Sequence, residues 1–402
     1  MTPSAPLSAT AAPASRRGKL LFLVTEDWYF CSHRLPLARA ARDAGFEVAV
    51  ATRVRRHGER IREEGFALHP IAWRRRGDGP LAAARAVAAI AALYRAERPD
   101  IVHHVALKPV LFGALAARLA FRAAERPAQI AAVMGLGSGF AGTGLVGRLR
   151  QAALRIAIRL AAGRRRAANR VIVQNREDRD ALARFGVPPA WIALIRGSGV
   201  DITRFQPMSD PAVGEIEVAL VARMLRAKGV LDAVEAVRRL RNAGEAVALL
   251  LVGPTDPDNP DTLTSEELAA LAAQPGVEWL GRVEDVAAVW RRAAIAVLPT
   301  TYGEGVPLAL LEAAACARPI VASDMPGCRE VVRHGETGLL VPPRDTAALA
   351  AAIAALARDP ARRREMGLAG RDLVEREFAE EVVTRQTLAL YEAALAERGE
   401  GG

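Results

Sequence analysis

LPTTYGEGVPLALLEAAACARPIVASDMPGCREVVRHGETGLLV, residues 298–341, decides the fold. It reads as a strand end, a glycine loop, a helix, a strand, a second loop and helix, and a short closing strand. The apolar run Ala293–Pro299 suits a buried parallel strand, and Ile320–Ala322 suits the next one. Between them Gly303, Gly305 and Pro307 open a helix carrying Leu308, Leu310, Leu311, Ala314 and Ala315. A glycine loop feeding a helix start offers free backbone N–H groups and a positive dipole end, which suits a phosphate. Glu304 in that loop and Glu312, about two turns inside the helix, are carboxylates able to accept hydrogen bonds from hydroxyls. An ordinary βαβ unit with exposed glutamates satisfies the same pattern.

Outward from this stretch, strands and helices alternate through the chain. Strands are expected at Lys19–Thr25, Phe46–Thr52, Ala67–Ile71, Ile101–Val105, Gln129–Met134, Val171–Gln174 and Ile192–Ile195. A loop at Glu26–Ser32 leads to a helix over roughly His33–Ala44, with further helices at 81–97, 109–122 and 177–185. The segment GSGVDITRFQPMSDPAVGE, 197–215, interrupts the alternation and reads as a domain boundary. Strands resume at Glu217–Ala222, Ala246–Val252, Val277–Leu280 and Ala293–Leu298, and the tail Arg371–Glu397 is helical. The fold class is therefore α/β, with parallel sheets covered on both faces. Ligands of such sheets gather beyond the carboxyl ends of the strands. Arg223 and Lys228 lie there, in RMLRAKG, as either a diphosphate clamp or a solvated basic helix start.

Glu304-x7-Glu312, framed by Gly303, Gly305 and Pro307 and followed by PIVASDMPGCREVV, resembles the donor-site signature of family 4 retaining glycosyltransferases. The resemblance implies a GT-B architecture: two Rossmann-like domains, an interdomain cleft, and a last helix crossing back to the first domain. On that plan residues 1–17 are a disordered tail and 18–200 the acceptor-binding domain. Residues 201–215 are a linker, 216–375 the nucleotide-sugar domain, and 376–402 the returning helix. It further implies that Arg223 and Lys228 hold the nucleotide diphosphate, with Arg226 nearby. Backbone at Gly305, Val306, Pro307 and Leu308 adds donors, Glu304 holds the donor sugar's hydroxyls, and Glu312 holds the ribose. The strand-end loops at Gly253 and at Gly281-Arg282-Val283 border the base, and Gly327 with Glu330 resembles the family's step after the donor helix. No residue is an obvious covalent nucleophile. The resemblance implies front-face attack, with the donor phosphate taking the acceptor's proton. No metal or other cofactor is expected, because Asp256-Pro257-Asp258 sits in the proline-packed TDPDNPD and reads as a solvated loop.

In the first half, EDWYFCSHRLPLA, 26–38, places Trp28, Tyr29, Ser32, His33 and Arg34 over the cleft. Aromatics suit an apolar or sugar ligand, while His33 and Arg34 suit its phosphate. The same aromatics can equally pack inside at a helix entry. The segment is similar to glycosyltransferases that extend undecaprenyl-diphosphate-linked sugars, where this loop faces the acceptor. VHHVALKP, 102–109, adds His103, His104 and Lys108 at another strand end, with Lys108 reaching toward the acceptor diphosphate. The loop MGLGSGFAGTGLVG, 134–147, holds six glycines without a dinucleotide-binding context. Many family members carry a histidine there, whereas this chain has Met134-Gly135-Leu136-Gly137, whose amides at Gly135 and Gly137 are the candidates for acceptor contact.

Composition sets the remaining bounds. The 402 residues suffice for two domains, and three scattered cysteines carry no metal or disulfide spacing, which suits a reducing cytosol. A net charge of +10 favours anionic partners. Nucleic acid is not expected, since no zinc-finger, aromatic RNA-binding or basic-zipper module is present. An anionic membrane surface fits better: 148–170 is a basic amphipathic helix candidate, with Trp73–Arg76 and Arg53–Arg56 as further basic clusters. That segment reads equally well as a surface helix with a charged outer face. Residues 1–17 are Pro/Ala/Ser-rich without a signal-peptide core, and no apolar run reaches the roughly 18 residues of a spanning helix. The expected localisation is cytoplasmic, peripheral to the inner face of the plasma membrane. The expected partners are a nucleotide sugar, most simply a UDP-sugar, and a polyprenyl-diphosphate saccharide. A transferase with a soluble acceptor, a nucleotide-sugar epimerase and a non-catalytic basic binder are the competing readings.

Overall fold

A computed structural model describes residues 17–73, 79–135, 168–211 and 214–399. Gly137, most of the glycine loop, the basic segment 148–167, Arg74–Arg76 and the first sixteen residues lie outside the described residues.

Two parallel sheets organise the chain. The first contains β1 Gly18–Glu26, β2 Phe46–Arg53, β3 Ala67–Pro70, β4 Ile101–Val105, β5 Ala128–Val133, β6 Arg170–Val173 and β7 Ile192–Leu194. Their spatial order is β3-β2-β1-β4-β5-β6-β7. The second contains β8 Ile216–Val221, β9 Val247–Val252, β10 Val277–Gly281, β11 Ile295–Leu298, β12 Ile320–Ser323 and β13 Gly338–Val341, in the order β10-β9-β8-β11-β12-β13. Near-continuous Val, Leu, Ile and Ala runs form these strands because helices cover both faces, leaving no side to alternate toward water. Strand order reverses between β1 and β4 in one sheet and between β8 and β11 in the other. Those two switch points open the crevices where ligands of doubly wound sheets bind. The loops after β1, β8 and β11 therefore carry the candidate residues.

The connection after β1 differs from expectation. Asp27–His33 is a helix rather than a loop, and a second helix, Leu35–Asp43, follows after a break at Arg34, whose φ of −127° and ψ of −13° are not helical. Buried Asp27 explains the first turn. One carboxylate oxygen accepts from Trp28 N at 2.7 Å, and the other accepts the N–H groups of Arg55, Arg56 and His57 at 2.7–2.9 Å. Pro36, near the start of the second helix, lacks the N–H that a continuous helix would use there.

The helical tail is likewise two helices, Pro360–Glu377 and Glu380–Gly399. Between them Ala379 bridges Val200, and this pair of extended segments is where the chain passes between domains. The final helix buries Val383, Tyr391 and Ala394 in the first domain's core. Burying each such apolar side chain is worth about 1.5–3 kcal/mol, which holds the crossover in place. The segment after Val200 lies against the second domain, pinned by three buried arginines. Arg371 donates to Phe205 O at 2.6 Å, Arg318 to Ser209 O at 2.9 Å, and Arg363 pairs with Asp210 at 2.6 Å.

Candidate active site

The second domain's cation pair is built by backbone geometry. After β8, Arg226–Lys228 forms a 3-10 turn and Gly229 takes a φ of +75°, where a side chain would strike the Pro299 carbonyl. This turn aims Lys228 at Glu304, and the two form an ion pair, Nζ to Oε2. Lys228 also sits 5.5 Å over the Tyr302 ring. Burial works against its charge, but the facing Glu304 carboxylate reverses that and holds its pKa above the ordinary lysine value. Glu304 Oε1 is buried with no partner among the described residues.

Arg223 pairs with Asp256 and lies 5.9 Å over the Trp28 ring, so it touches both domains. Asp258 accepts from Arg55 at 2.7 Å across the cleft. Both acids of the Asp-x-Asp segment are thus taken by arginines. Arg226 is drawn away to Glu267 on a neighbouring helix.

The donor helix spans Leu308–Ala315, with Pro307 as its N-cap. Glu312 therefore lies just over one turn inside, not two. Loss of water around it pushes its carboxyl up to about 7, against the opposing pull of Arg204 and Trp290. The loop ahead of the helix meets the first domain directly. Val306 N donates to Gln174 Oε1 at 3.1 Å, and a Cβ on Gly305 would strike that same oxygen. A Cβ on Gly135 would lie 2.7 Å from Gly305 N and 2.8 Å from the Glu304 carbonyl carbon. Gly303 and Leu308 are partly exposed on this loop and helix start. Gly253, at the end of β9, receives the Trp279 indole N–H on its carbonyl at 3.1 Å. Arg282 is exposed, and Val283 packs half-buried against the second domain's core.

Glu330 has a different place from the one expected. It is buried; Oε1 accepts from Arg176 N at 3.1 Å, and Oε2 lies 3.6 Å from Arg196. Both partners belong to the first domain, so Glu330 ties the domains together instead of facing the donor.

In the first domain, Tyr29 stacks on His33 with ring centroids 4.2 Å apart, and Trp28 meets Tyr29 edge-on at 5.7 Å. His33 is no phosphate cation: burial first, and Arg34 next, push its pKa down to about 3. Its Nδ1 is 2.6 Å from the hydroxyl of exposed Ser32. His103 is likewise not an acceptor residue. It lies mid-strand in β4, 1% exposed, bonded through Nδ1 to Tyr391 and stacked on Phe22 at 5.3 Å. A parallel strand covered on both faces buries alternate side chains alike, so neither His103 nor His104 presents its ring to the cleft. Lys108 lies 5.5 Å over Trp73 and 5.2 Å over Phe112. Arg34 is buried at the helix break and donates to Met134 Sδ at 2.9 Å.

Two family descriptions match this chain: "Glycosyl transferase 4-like" over residues 19–164 and "Glycosyl transferases group 1" over residues 215–359. The chain belongs to this glycosyltransferase family. It is 35% identical over 217 residues to a glycogen synthase of Mycobacterium tuberculosis, a match covering 54% of this chain and 51% of that protein. The match to this curated relative thus spans about half of its length. Similarity at 26% identity covers 90% of this chain and 95% of the Campylobacter jejuni N,N'-diacetylbacillosaminyl-diphospho-undecaprenol alpha-1,3-N-acetylgalactosaminyltransferase. In fold it resembles Anabaena HepE, crystallised with UDP and glucose, at a TM-score of 0.73 and 18% identity over 93% of this chain and 99% of that one.

The glycosyltransferase thus brings Arg223, Lys228, Glu304, Trp28, Tyr29, Gly135 and Arg34 to one cleft. Sequence reading missed Asp27 and Gln174, and it placed Asp256 in a solvated loop where the structure pairs it with Arg223. Gln174 had a faint signal, a polar residue closing the apolar strand VIVQ. Asp27 and Asp256 had none, because their partners are backbone groups and an arginine about thirty positions away in sequence.

Proposed function

We propose that this glycosyltransferase moves a hexose or N-acetylhexosamine from a nucleotide diphosphate sugar, most simply a UDP-sugar, to a polyprenyl-diphosphate-linked saccharide. The transfer retains anomeric configuration and serves bacterial surface polysaccharide or glycan assembly at the inner membrane face. The carrying observation is the Lys228–Glu304 pair beside Arg223, set against the first domain's Trp28–Tyr29–His33 stack. Two cations at a strand's carboxyl end offset charge developing on a departing diphosphate, a task a divalent ion performs elsewhere. Glu304, once Lys228 turns to phosphate, is free to accept the donor sugar's hydroxyls. The acceptor oxygen attacks C1 from the face the diphosphate leaves. The C1–O bond to phosphate breaks as the new glycosidic bond forms, and the acceptor's proton passes to a phosphate oxygen. Contacts among Gly135, Gln174 and the 304–306 loop exclude water from this point and so limit hydrolysis.

The undecaprenol-linked acceptor named for the Campylobacter jejuni relative supports the acceptor class, and UDP bound to Anabaena HepE supports the nucleotide. Among the described residues no helix is long and apolar enough to cross a membrane; the net charge of +10 supports contact with an anionic membrane surface. The test offers UDP-, GDP- and ADP-sugars to the purified protein and follows diphosphate release with and without bacterial lipid extract, in EDTA. Lipid-dependent release that survives EDTA is expected. Equal release with a soluble acceptor refutes the lipid assignment, and a strict divalent-ion requirement refutes the metal-free mechanism.

A further inference from the structure

Among the described residues Arg34 holds a charge without a counter-ion. The residue is 5% exposed. Nη2 donates to the Met134 thioether sulfur at 2.9 Å, and Nε is buried with no partner. Among the described residues no carboxylate pairs with it. A thioether is a weak acceptor, and a buried cation without an opposite charge is strongly disfavoured. The break between the helices Asp27–His33 and Leu35–Asp43 falls at this residue, which turns the side chain inward.

Its position is as telling as its isolation. Met134 immediately precedes Gly135, whose Cβ position is 2.7 Å from Gly305 N in the donor loop. On the other side stands the Tyr29–His33 stack, with His33 feeling the positive charges of Arg34, Arg223 and Lys228 together. Tyr29, His103 and Tyr391, which also feel Arg34, are buried rings that supply no negative charge. Arg34, Arg223 and Lys228 thus act together on the same imidazole, and the latter two already have carboxylates of their own. We propose that Arg34 binds a diphosphate oxygen, completing from the first domain an anion site whose other cations come from the second. A guanidinium presents several N–H groups in a plane, which matches phosphate oxygens better than a sugar's scattered hydroxyls. The assignment rests on the transferase reading for the source of the diphosphate, either the donor's or the lipid acceptor's.

The experiment compares wild type with Arg34→Met and Arg34→Lys, using inorganic pyrophosphate, UDP and detergent-dispersed undecaprenyl diphosphate in calorimetric titrations. Pyrophosphate should bind Arg34→Met about tenfold or more weakly, the scale of one charged hydrogen bond, with partial recovery in Arg34→Lys. The thermal midpoint of ligand-free Arg34→Met should equal or exceed that of wild type, since an uncompensated charge has been removed. A matching loss for UDP assigns the residue to the donor. A loss for undecaprenyl diphosphate with UDP unchanged assigns it to the acceptor. Unchanged pyrophosphate affinity overturns the proposal, and with a lowered midpoint it makes Arg34 a packing residue. If pyrophosphate discriminates the variants but no sugar is transferred, the anion site stands and the transferase reading falls.

Discussion

Replacing Lys228 with alanine tests the centre of the site in two independent ways. Lys228 and Glu304 form one ion pair, with side chains 11% and 15% exposed. Glu304 already has one buried oxygen without a partner, so deletion of the ammonium strands the whole carboxylate. Breaking a fully buried pair from one side costs about 3–5 kcal/mol. The residual exposure of this pair admits some water, so about 2–3 kcal/mol is expected in the unfolding of the second domain. The double variant Lys228→Ala/Glu304→Ala should recover most of that loss, because no charge is left stranded. Activity should behave differently. Loss of one cation on the leaving diphosphate should cost about 2–4 kcal/mol of transition-state stabilisation, roughly 30- to 1,000-fold in kcat/KM. The double variant should remain as inactive as the single one. Urea unfolding and diphosphate release supply the two readouts. A single variant within threefold of wild-type kcat/KM would refute the catalytic role, and a double variant no more stable than the single would refute the pairing.

Two further outcomes follow from particular atoms. Glu312 has a carboxyl raised by burial to about 7, above its ordinary 4.5, so the folded protein holds a proton there that the unfolded chain has released. Its contribution to stability is therefore greatest below about pH 4.5 and declines as pH rises to about 7; Glu380, also raised to about 7, adds to the same decline, so Glu312→Gln should reduce it in urea midpoints without removing it. Because only the ionised form is purely an acceptor for ribose hydroxyls, UDP affinity should fall more steeply below about pH 7 in wild type than in the variant, the terminal phosphate of UDP taking up its proton at about pH 6 in both. Gly305→Ala would drive a methyl into Gln174 Oε1 and toward Met134, forcing the donor loop off the first domain. At least a tenfold loss of kcat/KM is expected, on the order of the penalty for misplacing reacting groups, and Gln174→Ala should restore part of it. Full activity in Gly305→Ala would show that the domains need not approach so closely.

The parallel-sheet plan was legible because buried strands and their helices leave unbroken apolar runs, and β4 coincides with its expected limits, Ile101–Val105. The glycine loop and helix at 303–315 were legible for the same reason, since Gly, Pro and the helical period are local signals. Less legible were the limits within a helical run. The local pattern predicts a loop at Glu26–Ser32, whereas the first turn of the Asp27–His33 helix is held by N–H groups from Arg55–His57, a contact that no local pattern records. Glu330 and His103 show the same limit from the other side. One is a carboxylate in a donor-like motif that the first domain's Arg176 and Arg196 occupy, and the other is an imidazole that the returning helix covers with Tyr391. The sequence by itself determined which residue types stand at the strand ends, and hence the family. Which charges meet which was decided only by the tertiary structure. Lys228 with Glu304, Arg223 with Asp256 and Arg34 with nothing but Met134 are choices made by the packing of two domains, because Coulomb interactions depend on separation in space and not along the chain.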